Sequence, residues 1–408
     1  MNCRHCKKPL KLNLVDLGFA PPSNAYLYED DLKKPEKYYP LNIKVCENCW
    51  LVQTEDYADA DELFSSDYAY FSSTSLSFLE HAKEYVQSIV RKLSLNKNSM
   101  VTELASNDGY LLRNFLNMQI PCLGIEPTKS TAKESEKLGI ETIQEFFGEK
   151  LATKLSSDGY SSDLIIGNNV YAHVPDINDF TKGIKILLKK DGVVTLEFPH
   201  LLKLMQGIQF DTIYHEHFSY LSLFTVSRIF EEHELKVFDV DEISTHGGSL
   251  RIHGCNNSDP RAITNNFKNV LNAEKKYGLQ ELETYKNFQN KVEIIKNELI
   301  SFLIEKKKSG KKVAAYGAAA KGNTLLNYAG IKSDLISFVC DAAYAKQNKY
   351  LPGSHIPIHP PDKLKSVAPD YVVILPWNIA EEITEQNRSL IDNGTKFVSF
   401  VPKLTYHD

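Results

Sequence analysis

From Met100 onward, short apolar runs alternate with stretches of helical spacing, and this alternation organises the middle of the chain. Met100 to Ala105 predicts a first strand, ended by the polar turn Ser106-Asn107-Asp108-Gly109, and a helix is expected around Tyr110-Leu111-Leu112. A second strand is predicted from Pro121 to Ile125, ending in Glu126, and Thr142-Ile143-Gln144 leads to a third acidic position, Glu145. Asp163 to Ile166 and Val193 to Phe198 give a fourth and a fifth strand. Helical spacing returns from Phe224 to His233. Lys236 to Val240 and Ser249 to His253 then read as a strand pair joined by the tight loop Thr245-His246-Gly247-Gly248. Strands that alternate with helices predict an open, mostly parallel α/β sheet, which binds ligands at the carboxyl ends of its strands.

The pattern changes on both sides of this core. Pro260 to Lys312 is charged and amphipathic, with Leu282, Phe288, Val292, Ile295, Leu299 and Leu303 at roughly helical spacing, as in a bridging helix pair. The lysines at 306–308 and 311–312 suit a solvated helix end. Lys312 to Tyr316 predicts a strand entering Gly317-Ala318-Ala319-Ala320-Lys321-Gly322-Asn323. Small residues at a strand-to-helix turn expose backbone N–H groups, and Lys321 adds positive charge, so the turn is a candidate anion site or else a close-packing corner. Ile336 to Cys340, ending in Asp341, and Tyr371 to Leu375 extend this into a second, degenerate Rossmann-like domain. The expected division is 1–70, 71–260 and 261–408, in keeping with 408 residues and a prior of ~150 per domain.

Hydrophobic residues at 42% and charged residues at 24% are ordinary for a globular protein. A formal net charge of −5 argues against nucleic acid and anionic membrane as partners. No apolar run approaches the ~20 residues that span a bilayer, so a cytoplasmic, monomeric protein with reduced thiols is expected. Of seven cysteines, Cys122, Cys255 and Cys340 are scattered and read as small buried hydrophobes. Cys3-x-x-Cys6 and Cys46-x-x-Cys49 are paired knuckles that supply four thiolates, the tetrahedral set zinc prefers. Such a zinc is structural, and it stabilises a segment too small for its own core.

At the end of the second strand, Glu126 is placed to accept from both hydroxyls of a ribose. A nicotinamide enzyme would carry three glycines in the first turn, whereas Glu103-Leu104-Ala105-Ser106-Asn107-Asp108-Gly109 carries one. A cofactor without phosphates fits better, with S-adenosylmethionine the candidate. Glu103, Ala105, Asn107, Gly109 and Glu126 are the expected cofactor residues, together with Asn168 and Asn169 after the fourth strand. Following the fifth strand, Tyr214-His215-Glu216-His217-Phe218-Ser219-Tyr220 gathers two imidazoles, a carboxylate and two phenols. Its histidines can be metal ligands, a general base with its helper, or ordinary polar residues. The knuckles offer the better zinc site.

With these motifs in order the chain resembles the sugar C-methyltransferases that act on nucleotide-linked 4-keto-deoxyhexoses. The resemblance spans the double knuckle, ELASNDG, NNVYAHVPD, YHEHFSYLSL, THGGSLR and GAAAKGNTLLNY. It implies a class I methyltransferase Rossmann-like core between an N-terminal zinc-binding domain and a C-terminal Rossmann-like α/β domain. It also implies methyl transfer from S-adenosylmethionine to a ring carbon, C3 favoured over C5, of a dTDP-linked sugar. Carried over by motif, His217 is the base, Glu216 and Tyr214 position or polarise the sugar, and His173 contacts the ketone. Tyr68 and Tyr70 close over the sugar, and Lys321 and Asn323 meet the nucleotide diphosphate. His215 is read as scaffold. Ala105 departs from the pattern, which has glycine there more often. The competing readings are an O- or N-methyltransferase, a nucleotide-sugar-binding protein without catalysis, and, remotely, a zinc hydrolase using His215 and His217.

Overall fold

The computed structural model describes residues 1–55, 57, 73 and 76–408, the side chains of 76–78 excepted. Tyr68 and Tyr70 lie outside the described residues. The head is an antiparallel sheet of β1 (Leu12–Ala20), β2 (Tyr39–Val45) and β3 (Val52–Thr54). In β2, Leu41, Ile43 and Val45 alternate inward to the core, as a half-buried strand requires. Its fourth strand comes from far along the sequence. Ser219–Tyr220, the end of the histidine segment, pairs with Val52 and Gln53.

The middle domain follows the predicted alternation. Helix α1 (Leu76–Leu93) precedes β4 (Val101–Leu104), α2 (Leu112–Asn117), β5 (Cys122–Ile125), α3 (Lys129–Lys137), β6 (Glu141–Ile143), α4 (Glu149–Ser157) and β7 (Ser162–Asn168). Then come α5 (Ile177–Leu187), β8 (Leu188–Pro199), α6 (Leu201–Gly207), the head strand β9 (Ser219–Tyr220), α7 (Leu223–Glu232), β10 (Leu235–Ile243) and β11 (Ser249–Asn256). The sheet runs β10-β11-β8-β7-β4-β5-β6. Strands β4 to β8 are parallel, and only β11 opposes its neighbours. All of β4 and the run Val193–Phe198 are buried on both faces, which suits their mostly apolar sequence, with Glu103 and Glu197 as buried acidic exceptions.

The bridging segment forms α8 (Asn265–Tyr277), a short α9 (Leu282–Lys286) and α10 (Phe288–Lys308), three helices where the spacing suggested two. Phe288, Val292, Ile295, Leu299 and Leu303 are buried along α10, but Leu282 is 39% exposed because it opens a separate helix. The last domain is a second parallel sheet, built from β12 (Val313–Tyr316), α11 (Ala320–Ala329), β13 (Val339–Cys340), β14 (Ile358–His359), β15 (Tyr371–Ile374) and β16 (Lys396–Ser399). An antiparallel β17 (Thr405–His407) closes its edge. One continuous apolar core joins Leu14 and Ile43 of the head to Leu204 of α6, Val292 of α10 and Val373 of β15. The three parts pack on one another, with the candidate site where they meet.

Candidate active site

Two groups of functional side chains lie at the carboxyl edge of the middle sheet. The first surrounds the turn after β4. Ala105, Asn107 and Gly109 have φ values of 55°, 50° and 77°, so the backbone repeatedly enters the left-handed region there. This accounts for the expectation of glycine at Ala105, since a Cβ in that region costs roughly 1–2 kcal/mol. A Cβ on Gly109 would lie 2.7 Å from Ile140 Cδ1 and 2.9 Å from Ser135 Oγ. The Glu126 carboxylate stitches the turn together, accepting from Asn107 N at 2.9 Å and Thr128 N at 2.8 Å.

This turn gathers buried acids. Burial first, and then the Glu126 and Asp108 charges, push the Glu103 carboxyl well above the usual range. Burial also raises Glu126, against the backbone N–H bonds it accepts. Among the described residues, Glu103 Oε2, Ser106 Oγ, Asp108 Oδ1, Asn168 Oδ1 and Asn169 Oδ1 are buried without a hydrogen-bond partner. Such oxygens call for donors or positive charge. S-adenosylmethionine brings a sulfonium, an ammonium and ribose hydroxyls, so its chemistry fits this set.

The second group is the histidine segment. Backbone bonds from Thr54 to Phe218 and the β3–β9 pairing hold it against the head. Within it, the His217 imidazole lies with Nδ1 2.9 Å from Thr212 O and Nε2 2.8 Å from Tyr214 Oη. A carbonyl accepts only, so Nδ1 carries the proton and the Nε2 lone pair accepts from the phenol. Burial, His173, His246 and Lys321 all depress the basicity of His217 well below that of an ordinary histidine, against the Thr212 carbonyl. His173 stacks edge-on at 4.6 Å between ring centroids and bonds the Glu216 backbone, and burial lowers it to about 4. Glu216 is 1% exposed, and both its oxygens lie 2.8 Å from Asn24 Nδ2 of the head. His215 turns away to the Tyr39 carbonyl at 3.3 Å, as a scaffold residue would.

The C-terminal domain contributes from the opposite side. Lys321, in the first turn of α11, donates to Asn378 Oδ1 at 2.6 Å and lies 4.9 Å from the Trp377 ring centroid. Burial lowers its basicity, with Asp211 opposing. Asp211 accepts from Trp377 Nε1 at 2.7 Å, and burial raises it to about 6 against the Lys321 charge. Asn323 is fully buried and donates to Ser23 O at 2.6 Å, which braces the head loop.

Sequence reasoning passed over several groups here. His246, with φ 56° at the tip of the β10–β11 hairpin, is lowered to about 4 by burial and by Lys321. The neighbouring Gly247 has φ 88° and packs so closely on Trp377 that a Cβ would collide with the indole. Glu197, at the end of β8, meets Arg251 at 2.7 Å and His81 at 3.1 Å, which hold it at about 2 despite burial. The THGG loop was visible as a turn, but nothing in it marked His246 as inward-facing. Asn24 and Asp211 carried no signal at all.

In the head, the four sulfurs of Cys3, Cys6, Cys46 and Cys49 lie within 4.8 Å of one another, with Cys3–Cys49 at 3.5 Å and Cys6–Cys46 at 3.4 Å. Tetrahedral ligands on ~2.3 Å Zn–S bonds are about 3.8 Å apart, so the sulfurs fit zinc. Gln53 Nε2 donates to Cys3 Sγ at 3.2 Å and supports its thiolate form. His5 is not in the set; its ring meets Asn178 at 2.8 Å and Glu232 at 3.4 Å, docking the head on the middle domain.

The sheet order, the acid-lined first turn and the closing antiparallel strand define a class I methyltransferase fold carrying a zinc-binding head. Three family models cover the chain: "Putative zinc binding domain" at residues 3–64, "Methyltransferase domain" at 78–240 and "C-methyltransferase C-terminal domain" at 244–402. C-methyltransferase NovU of Streptomyces niveus is 32% identical over 401 residues, covering 98% of this chain and 95% of NovU. The chain therefore belongs to the C-methyltransferase family and is an S-adenosylmethionine-dependent C-methyltransferase. Solved structures with likeness to it include magnesium protoporphyrin IX methyltransferase of Synechocystis PCC 6803 with bound SAM, at 12% identity and TM-score 0.35, covering 49% of this chain and 99% of that one. A methyltransferase from Clostridium acetobutylicum matches at 11% identity and TM-score 0.35, covering 43% and 91%.

Proposed function

We propose that the substrate is a dTDP-linked 4-keto-deoxyhexose, methylated at C3 in deoxysugar biosynthesis, and that His217 is the base. The observation that carries this reading is the hydrogen-bonded state of His217. Its proton is fixed on Nδ1 by Thr212, leaving Nε2 as a buried, neutral lone pair beside a phenol. Methylation at carbon needs a carbon acid, and a ketone at C4 acidifies the hydrogen on C3. His217 Nε2 takes that proton, and the electron pair of the C–H bond moves into the enolate. Bound S-adenosylmethionine supplies the electrophilic methyl group. The Tyr214 O–H, released from His217 Nε2 as that nitrogen takes the proton, turns to donate to the developing enolate oxygen, and His173, beside His217, contacts the ketone side of the sugar. The imidazolium formed at His217 lies beside this oxygen and completes the charge balance.

In this reading Glu103, Ala105, Asn107, Gly109, Glu126, Asn168 and Asn169 hold the cofactor, with the buried acids facing its cationic parts. Lys321 faces the anionic side of the substrate, Asn323 fixes the neighbouring segment, and Tyr68 and Tyr70 close the sugar side. The test is to incubate a thymidine-diphospho-4-keto-deoxyhexose in deuterated water, with and without S-adenosylmethionine, and to follow the sugar by NMR. Exchange at C3 without the cofactor and a new carbon-bound methyl with it are expected. A methyl on oxygen or nitrogen would overturn the reading. His217→Ala should lower turnover about 10²- to 10⁴-fold while cofactor affinity, read by calorimetry, is kept. Full activity in that variant would remove His217 from the mechanism.

A further inference from the structure

We infer that Asn24, on the zinc-bound head, is a positioning residue that holds the Glu216 carboxylate in the active site. The inference rests on the proposed reading of Glu216. After β1 the chain runs through Pro21-Pro22-Ser23-Asn24-Ala25-Tyr26 into the space between the middle and C-terminal domains. Each end of this loop is fixed. Asn323 donates to Ser23 O at 2.6 Å, Tyr26 Oη donates to Ala318 O at 2.5 Å, and Leu27 pairs with Tyr350 through backbone bonds of 3.0 and 2.8 Å. Within the loop, Ala25 N bonds Pro22 O at 3.1 Å and Tyr26 N bonds Asn24 O at 2.9 Å, a turn that directs the Asn24 side chain inward.

The amide Nδ2 of Asn24 then lies 2.8 Å from each oxygen of Glu216. A hydrogen bond donated to a buried carboxyl group fixes its rotamer, most strongly where that group is ionised. Glu216 immediately precedes His217 in the chain, and its backbone bonds the His173 ring. A carboxylate able to swing would displace both the sugar and the backbone that carries the base. The head thereby takes part in catalysis in two ways: β3 holds the strand that follows the histidines, and Asn24 holds the acid that precedes His217.

Asn24→Ala should lower kcat about 10- to 100-fold, the usual cost of removing a supporting partner, with KM for the thymidine-diphospho-4-keto-deoxyhexose nearly unchanged. Asn24→Gln, which keeps the amide donor, should recover part of that loss. Cofactor affinity and one zinc per chain should persist in both. In a Glu216→Gln background there is no carboxylate to hold, so Asn24→Ala should add little further loss. An equal loss in both backgrounds would overturn the proposal, as would an unchanged kcat in Asn24→Ala. A crystal structure of Asn24→Ala supplies a readout that needs no substrate: the Glu216 carboxylate should leave its position, and an unmoved carboxylate overturns the proposal. If Glu216→Gln is itself fully active, the reading of Glu216 fails instead.

Discussion

The chain contains two strand-to-helix turns in equivalent places, one after β4 and one after β12, and they are built to opposite ends. The first is strained, acidic and short of donors. Three of its residues are left-handed, and Glu103, Ser106 and Asp108 each keep a buried oxygen without a partner. The Ala318 backbone of the second is satisfied from within the protein. Ala318 N donates to Asp341 Oδ2 at 2.7 Å, and Ala318 O accepts from Tyr26 Oη at 2.5 Å and from Lys346 Nζ at 2.9 Å. In a dinucleotide-binding fold an acid at the end of the second strand faces a ribose; here Asp341 caps the turn itself. On the proposed reading the same topology makes one turn that binds a ligand and another that docks a domain, with Lys321 as its charged contribution to the cleft.

The contrast can be broken at its acids. Glu126→Ala should weaken S-adenosylmethionine binding about 10- to 100-fold by calorimetry, because it removes the anchor of Asn107 and Thr128, a supporting-shell effect. Asp341→Ala should leave that affinity unchanged and cost about 1–3 kcal/mol in denaturant unfolding, from a buried N–H left unmet. A shared loss of cofactor binding would show that the second turn is not a docking element. His246 sharpens the picture through pH. Its folded pKa is about 4 against an unfolded ~6.5, so between these values the unfolded chain binds the extra proton and stability rises with pH. The stability difference between wild type and His246→Ala should therefore grow by about 1.4 kcal/mol per pH unit from 4 to 6.5, then level off. The smallest effect is expected from Ala105→Gly, which relieves a left-handed alanine and should stabilise by less than about 1 kcal/mol in thermal unfolding.

Much of the architecture was legible because strands buried on both faces are mostly apolar. Met100–Ala105, Pro121–Ile125, Asp163–Ile166 and Val193–Phe198 all contain or lie within observed strands. The knuckles were legible because four thiolates at that spacing have little other use. The head sheet was not, since β9 is two residues long and its partners Val52 and Gln53 lie in a distant part of the sequence. The site divides likewise. Tyr214, Glu216 and His217 stand together as clustered chemistry and His173 enters through the resemblance, whereas Asn24, Asp211 and His246 join them only when three domains meet. A side chain recruited by tertiary packing leaves no mark in local spacing.

The borrowing of β9 by the head also bears on how the protein is made. A ribosome releases the cysteine knuckles long before Ser219 and Tyr220, so β3 waits with an unpaired edge until the middle domain is nearly complete. An exposed edge is a template for strands of other chains. A head expressed alone, even loaded with zinc, should therefore self-associate, and a peptide spanning 214–222 supplied in trans should return it to the monomer. Completion of the head is in this sense a checkpoint on assembly: the histidine segment comes into place only as the edge is capped.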